Sequence, residues 1–282
     1  MPQHQFVTTG IESLARRIAL AGLMSRGEAE RAISQGLVTV NGRVVTKSQK
    51  VPDMSCVACH GVDVAPPPAT PPLFGIIKPR GYVAEFTRTE PGANKRYIPD
   101  LLAKWNKKST RDFGTKSLEV STSSSHYVVI NKIPTKSTGL VLLTTDGLLA
   151  NALTRIESKI LTTYRVRVGN ITDSQVDDLR KWKAGIGVAG VDYGPVFIDV
   201  EKRKPSQTWM KVRLVDAPGR NLSDLFWFRA GIHVNRINCY AFGPYRATEV
   251  PDRQIIRLPI HDAIQHLVPR RVIQPSLVSI RH

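Results

Sequence analysis

Cys56, Cys59 and His60, in the stretch CVACH, are the residues whose types and spacing most directly suggest chemistry. Cys-x-x-Cys-His is the spacing at which haem is attached covalently, and two thiolates with an imidazole make three of the four ligands of a structural zinc site. The surroundings complete neither. The segment that follows, PPPATPP, offers no apolar haem pocket and no second axial ligand, and no second Cys or His pair of matching spacing closes a tetrahedral set. CVACH is therefore expected to be structural, its cysteines in a strand or at a strand edge. No haem, metal or other cofactor is expected. Cys239 is the remaining cysteine, and an odd count without framework spacing suits a reducing compartment.

The elements around these residues belong to a folded and strongly basic protein. Of 282 residues, 41% are hydrophobic and 22% charged, and 40 Lys and Arg against 23 Asp and Glu leave a formal charge of +17. Such an excess repels itself unless something anionic lies against it, and RNA is the commonest such partner. Residues 1–65 hold 7 basic and 5 acidic residues, so most of the positive field belongs to the remainder. No apolar run approaches the ~20 residues of a membrane span, and no membrane partner is expected. The N-terminus is poor in acids and carries Arg16, Arg17 and Arg26, a composition like that of an organellar presequence. It points to a mitochondrial setting, with the cytoplasm or another organelle as the alternative.

Along the chain, IESLARRIALAGL repeats apolar residues at three- and four-residue steps and stops at Gly22, which predicts a helix with one buried face. SRGEAERAISQG opens with Ser25 and Glu28 as a capping box and closes at Gly36, a second helix. LVTVNGRVV alternates around Asn41-Gly42, a hairpin signal. Together, GLMSRGEAERAISQGLVTVNGRVV resembles the small RNA-binding module first known from ribosomal protein S4. That resemblance implies RNA contacts from Arg26, Arg31, Asn41, Arg43 and Lys47, with Arg16, Arg17 and Ser25 beside them.

APPPATPP marks a stiff spacer, and a second domain begins after it. LFGIIKPRGYV, VVINKIPTKSTGLVLLTTDGLLANALT, TTYRVRV and TWMKVRLVD read as strands with interspersed helices, a mixed α and β pattern. In their order, KPRGYV, STGLVLLTTDG, TYRV, APGR and GIHVNRINCYAFGPY resemble the ribosomal-type pseudouridine synthases that carry an S4-like module, over roughly residues 10–262. The resemblance adds Lys78, Arg80 and Arg236 to the implied RNA contacts.

It also shows what is missing. The family places a catalytic aspartate, in Gly-Arg-Leu-Asp, five residues before the glycine that is Gly139 here, and that position holds Pro134. Asn131 and Lys132 replace the glycine and arginine, and Ile133 is a mild change. Lys-Thr-Tyr becomes Thr162-Thr163-Tyr164, keeping the tyrosine that packs on the target base. Gly219 and Arg220 persist, whereas Leu225 and Phe226 stand where cations are expected and Asp224 introduces an acid. Asp146 belongs to the family's own turn, which leaves Asp224 as the one substitute carboxylate weighed.

The expectation drawn from these residues is an α+β protein. A two-helix and hairpin RNA-binding domain spans 10–65 after an extension over 1–9, and a Pro-rich linker covers 66–72. A mixed, mainly antiparallel pseudouridine-synthase-like domain spans 73–265, with a polar insertion at 106–125, and a basic tail runs over 266–282. The expected function is that of a catalytically inactive binder of ribosomal RNA that serves as an assembly factor or structural subunit of a ribosome, with Lys132, Tyr164 and Arg220 as a remnant pocket. Its partners would be the proteins or assembly factors of a mitochondrial ribosomal subunit. An active synthase with a rearranged site is the alternative.

Overall fold

The computed structural model describes residues 5–87, 95–112, 126–217, 219–269 and 273–278. The first helix (Leu14–Leu20) and the second (Arg26–Ser34) pack together over Leu14, Ile18, Ala29 and Ile33, and a four-stranded sheet closes this small core. Ser25 caps the second helix as its spacing predicts: its hydroxyl accepts from the Glu28 N–H, and the Glu28 carboxylate accepts from the Ser25 N–H at 2.8 Å. Asn41 and Gly42 both have positive φ, +50° and +77°, as a tight hairpin turn between Val38–Val40 and Arg43–Val45 requires.

CVACH forms the next hairpin. Val57–Cys59 pairs with Val62–Asp63, and His60 and Gly61, again both at positive φ, make the turn. Cys59 is buried and Cys56 exposed. The Cys56 N–H donates to the Asn41 side-chain oxygen at 2.9 Å and the Asn41 N–H donates to the Cys56 carbonyl at 2.7 Å, so the two hairpins latch to each other.

The large domain is organised on a nine-stranded sheet. Its main path runs Phe197–Lys204, Gln207–Val215, Leu161–Val168, Val234–Phe242, Thr138–Thr144, Leu73–Lys78 and Ile255–Leu258. Pairing is antiparallel throughout this path except between Thr138–Thr144 and Val234–Phe242. At that parallel seam Gly139, at φ +118°, lies so close to its neighbour that a Cβ would sit 2.2 Å from the Cys239 carbonyl oxygen. No other residue fits there. Burial alternates along Gln207–Val215: Thr208, Met210, Val212 and Leu214 face inward, and Trp209, Lys211 and Arg213 face outward.

Several segments differ from their sequence reading. The backbones of Gln5–Gly10 and Ile273–Val278, expected as an extension and a tail, pair antiparallel with each other. The helix that begins at Ile98 runs to Asp112, into the start of the polar insertion, and residues 113–125 lie outside the described residues.

The two domains are bonded directly. Arg16 reaches Asp146 at 3.2 Å, the Thr145 hydroxyl donates to the Leu20 carbonyl at 2.8 Å, and the His126 N–H donates to the Gly22 carbonyl. Asp146 also caps the helix Gly147–Thr154 through the Leu148 and Leu149 N–H groups. One turn therefore starts a helix and receives the small N-terminal domain.

Candidate active site

The cleft is lined by the loop 131–137, the segment 214–222 and the strands that carry Tyr164, Tyr193 and Ile237. The loop 131–137 enters it pinned at both ends. At its start, buried Asn131 donates to the Leu140 carbonyl at 2.9 Å and accepts from the Leu142 N–H at 2.8 Å, so the amide side chain mimics a strand partner. At its end, Lys78 is fully buried, and its ammonium donates to the carbonyls of Tyr82 at 2.8 Å and Ser137 at 2.9 Å. Burial pushes the Lys78 pKa down to about 8, which leaves it charged at neutral pH among carbonyls that compensate its lost water. The loop places Pro134 at the cleft.

Around it lie a groove of about 630 Å³ and a smaller recess of about 40 Å³, both bordered by Lys132, Asp216 and Arg220. Pro134, Tyr164, Tyr193, Leu214, Leu222 and Ile237 complete the recess. The sequence-derived set Lys132, Pro134, Tyr164 and Arg220 thus converges on one hollow. Lys132 pairs with Glu85 at 3.0 Å, and Arg220 donates to the carbonyls of Asp192, at 2.9 Å, and Val215.

Asp216 is the residue that sequence reasoning missed. Its carboxylate accepts the Tyr164 hydroxyl proton at 2.5 Å and the Ala217 N–H at 3.0 Å. Burial raises its pKa above the usual carboxylate value, offset in part by those two hydrogen bonds and by the Arg220 charge. Tyr164, fully desolvated and beside a carboxylate, is held protonated well above its ordinary range and so remains the donor. A partly desolvated carboxylate, oriented by a tyrosine and a backbone amide, is equipped to act as a base or a nucleophile. The signal is in the sequence: Asp216 follows the strand Gln207–Val215 and directly precedes APGR, four residues before Arg220. Asp224, the acid weighed instead, lies exposed on the first turn of the helix Leu222–Ala230, and Asp146 is engaged by Arg16. Leu225 and Phe226 are fully buried in the core.

The implied RNA contacts divide. Arg26, Arg31, Asn41, Arg43, Lys47, Arg80 and Arg236 are exposed, and Ser25 is half-buried as a helix cap. Three need correction. Lys78 is buried among carbonyls and cannot present its charge to RNA. Arg17 is 2% exposed and donates to the Pro52 and Val64 carbonyls at 3.2 Å, which makes it a core strut. Arg16 is committed to Glu12 and Asp146. The arginines that gave the N-terminus its presequence-like composition thus belong to the folded domain.

Comparison with known proteins supports both halves of this architecture. Residues 14–55 match the S4 domain model. The chain is 29% identical over 237 residues to ribosomal large subunit pseudouridine synthase B of Xanthomonas axonopodis pv. citri, covering 82% of this chain and 39% of that protein. It is 25% identical to an uncharacterized RNA pseudouridine synthase of Rickettsia bellii, covering 84% and 92%. The chain spans about half the length, or less, of the first curated relatives it matches. A crystal structure of a pseudouridylate synthase superposes with a TM-score of 0.53 at 17% identity, covering 91% of this chain and 99% of that one. These relatives are named as enzymes, which overturns the expectation of an inactive protein drawn from Pro134 and Leu225. The chain joins an S4 domain to a domain of pseudouridine synthase fold, and its sequence is similar across most of its length to ribosomal large subunit pseudouridine synthases.

Proposed function

We propose that the chain is a pseudouridine synthase acting on ribosomal RNA through a rearranged site whose carboxylate is Asp216. The supporting observation is the Tyr164–Asp216 pair in the recess that Pro134 borders. The isomerisation breaks the bond between uracil N1 and ribose C1′, joins C1′ to C5, and transfers the C5 proton to N1. It needs one group that adds to the sugar or ring and accepts the C5 proton, and a carboxylate does both. Asp216 supplies that group from the strand side of the cleft, where the family's usual aspartate comes from the loop side. Tyr164 orients it, and Arg220 stabilises its charged form.

Binding of the RNA is the part of the S4 domain and the basic surface, with Arg26, Arg31 and Arg43 facing phosphate. A target base turned out of its stack reaches the groove beside Lys132. The test is pseudouridine mapping on ribosomal RNA treated with purified wild type and with Asp216→Asn. Formation at a defined uridine by the wild type alone is the expected result. Formation by neither protein, with an unchanged map in cells lacking the chain, rejects the reading.

A further inference from the structure

The sheet has a second face. Tyr164, Val166, Met210, Val212 and Ile237 turn toward the core and the cleft, so the residues between them turn away from it. Registered pairs in antiparallel strands share a face. Arg236 pairs with Arg167, Arg167 with Trp209, and Trp209 with Lys202, which gives one row crossing four strands. At the usual strand spacing this row is about 14 Å long. The row beside it holds Asn238, Arg165, Lys211 and Asp199, and Arg213 and Phe197 follow.

The charges are distributed unequally. Glu201 takes Arg165 at 2.9 Å and Lys211 at 3.9 Å, and Asp199 takes Arg213 at 3.0 Å. Arg167, Lys202 and Arg236 have no ion pair among the described residues, and all three stand in the first row. Trp209 lies in the middle of it, with the guanidinium carbons of Arg165 and Arg167 at 5.5 and 5.9 Å from its ring centre. A cation resting on an aromatic ring loses rotamer freedom before any partner arrives, which favours a planar, pre-placed phosphate donor. Charged residues on an edge strand alone would serve to prevent edge pairing. Arg167 and Arg236 are on inner strands, where that purpose is absent.

We infer that this outward face is a second RNA-binding surface, which grips the phosphate backbone of an RNA segment on the side of the sheet opposite the cleft. Charge complementarity carries the choice of occupant: six cations against two carboxylates, with the unneutralised ones aligned in a row, suit a polyanion of regular charge spacing. The inference requires that the protein bind RNA, and it is independent of whether the cleft is catalytic. The RNA would then pass over both sides of the domain, held at the S4 domain and again here.

The experiment measures binding of ribosomal RNA by the full chain as a function of salt, for wild type, Arg43→Glu, Arg167→Glu with Arg236→Glu, and the neutral pair Arg167→Gln with Arg236→Gln. Melting temperatures check the fold, and pseudouridine formation is followed separately with Asp216→Asn. The Glu pair should lose tenfold or more in affinity at fixed salt, and the Gln pair should flatten the salt dependence by about two phosphate contacts. Both should retain the wild-type melting temperature. Wild-type affinity and salt slope in both pairs, alongside a loss in Arg43→Glu, overturn the second surface. Unchanged RNA binding with lost binding of polyglutamate would assign the face to an acidic protein and also overturn it. Loss of pseudouridine formation in Asp216→Asn with intact binding leaves the two readings separately judged.

Discussion

The S4 domain and the cleft are built in opposite ways. In the S4 domain, the links that start the second helix and join the hairpins are short in sequence, three residues from Ser25 to Glu28 and 15 from Asn41 to Cys56. In the cleft, the contacts that hold the carboxylate and the end of the loop are long in sequence, Tyr164 reaching Asp216 over 52 residues and Lys78 reaching Ser137 over 59. Local construction keeps a motif readable, because changing one residue breaks its neighbour's contact. Long-range construction lets a role move between elements, since what must be kept is a position in space. On the proposed reading, the carboxylate missing from the loop at Pro134 is supplied by Asp216, one residue beyond the strand Gln207–Val215.

The largest effect that would break this contrast is at Asp216. Asp216→Asn removes the base while preserving shape, and should lower pseudouridine formation by about a hundred- to ten-thousandfold with RNA affinity unchanged. The pH dependence has a defined sign. Burial raises the Asp216 pKa, so activity should rise with pH through a midpoint above the ordinary carboxylate value. Stability moves the other way: the folded form keeps the proton longer than the unfolded one, so this group's contribution is lost as pH rises through the folded pKa. An acid limb at the ordinary carboxylate value would show that Asp216 is not the titrating group.

Next in size is Asn131→Ala, which leaves the Leu142 N–H and Leu140 carbonyl buried without their partner and should cost about 2–4 kcal/mol in chemical unfolding. Activity should fall with it, because the loop beside the recess loses its anchor. A stable variant with full activity would show that the loop needs no such pin.

Much of this was legible in the sequence, and the reason differs by region. Periodicity, the Ser25 capping box and Asn41-Gly42 located the S4 elements because backbone geometry there is set by neighbouring residues. TWMKVRLVD likewise reads as a strand and forms one over Gln207–Val215. The sequence could not show that Lys78 is buried, since a lysine in a Lys-Pro-Arg-Gly turn looks solvated until four carbonyls are seen to enclose it. Arg17 misled for the same reason. Asp216 does not stand out in the sequence because its meaning comes from Tyr164, which lies 52 residues away.

Arg16 tests how the two modes of construction meet. It sits in the S4 domain and pairs with Glu12 there and with buried Asp146 across the boundary. Arg16→Met keeps the stem and strands the Asp146 carboxylate, which still has the helix N-terminus to hold it. The expected loss is about 1–2 kcal/mol, less than for a fully buried pair because Arg16 is partly exposed. Differential scanning calorimetry should then resolve an earlier S4 transition. A single unshifted transition would mean that the other interdomain bonds suffice.

The smallest expected effect separates two roles at Asn41, which both closes the hairpin turn and faces solvent where RNA is implied to lie. Its side-chain oxygen is used by Cys56, and its φ of +50° suits asparagine or glycine better than alanine. Asn41→Gly keeps the turn and loses one hydrogen bond, about 0.5–1.5 kcal/mol, whereas Asn41→Ala adds roughly 1 kcal/mol of left-handed strain. Urea unfolding should therefore rank wild type above Gly above Ala. RNA affinity distinguishes the roles. If Asn41 only latches the hairpins, the Gly variant binds as wild type once folded. If its amide N–H group also reaches RNA, both variants lose the same few-fold in affinity despite their different stabilities, and the most local motif in the chain carries a structural and a recognition role on one residue.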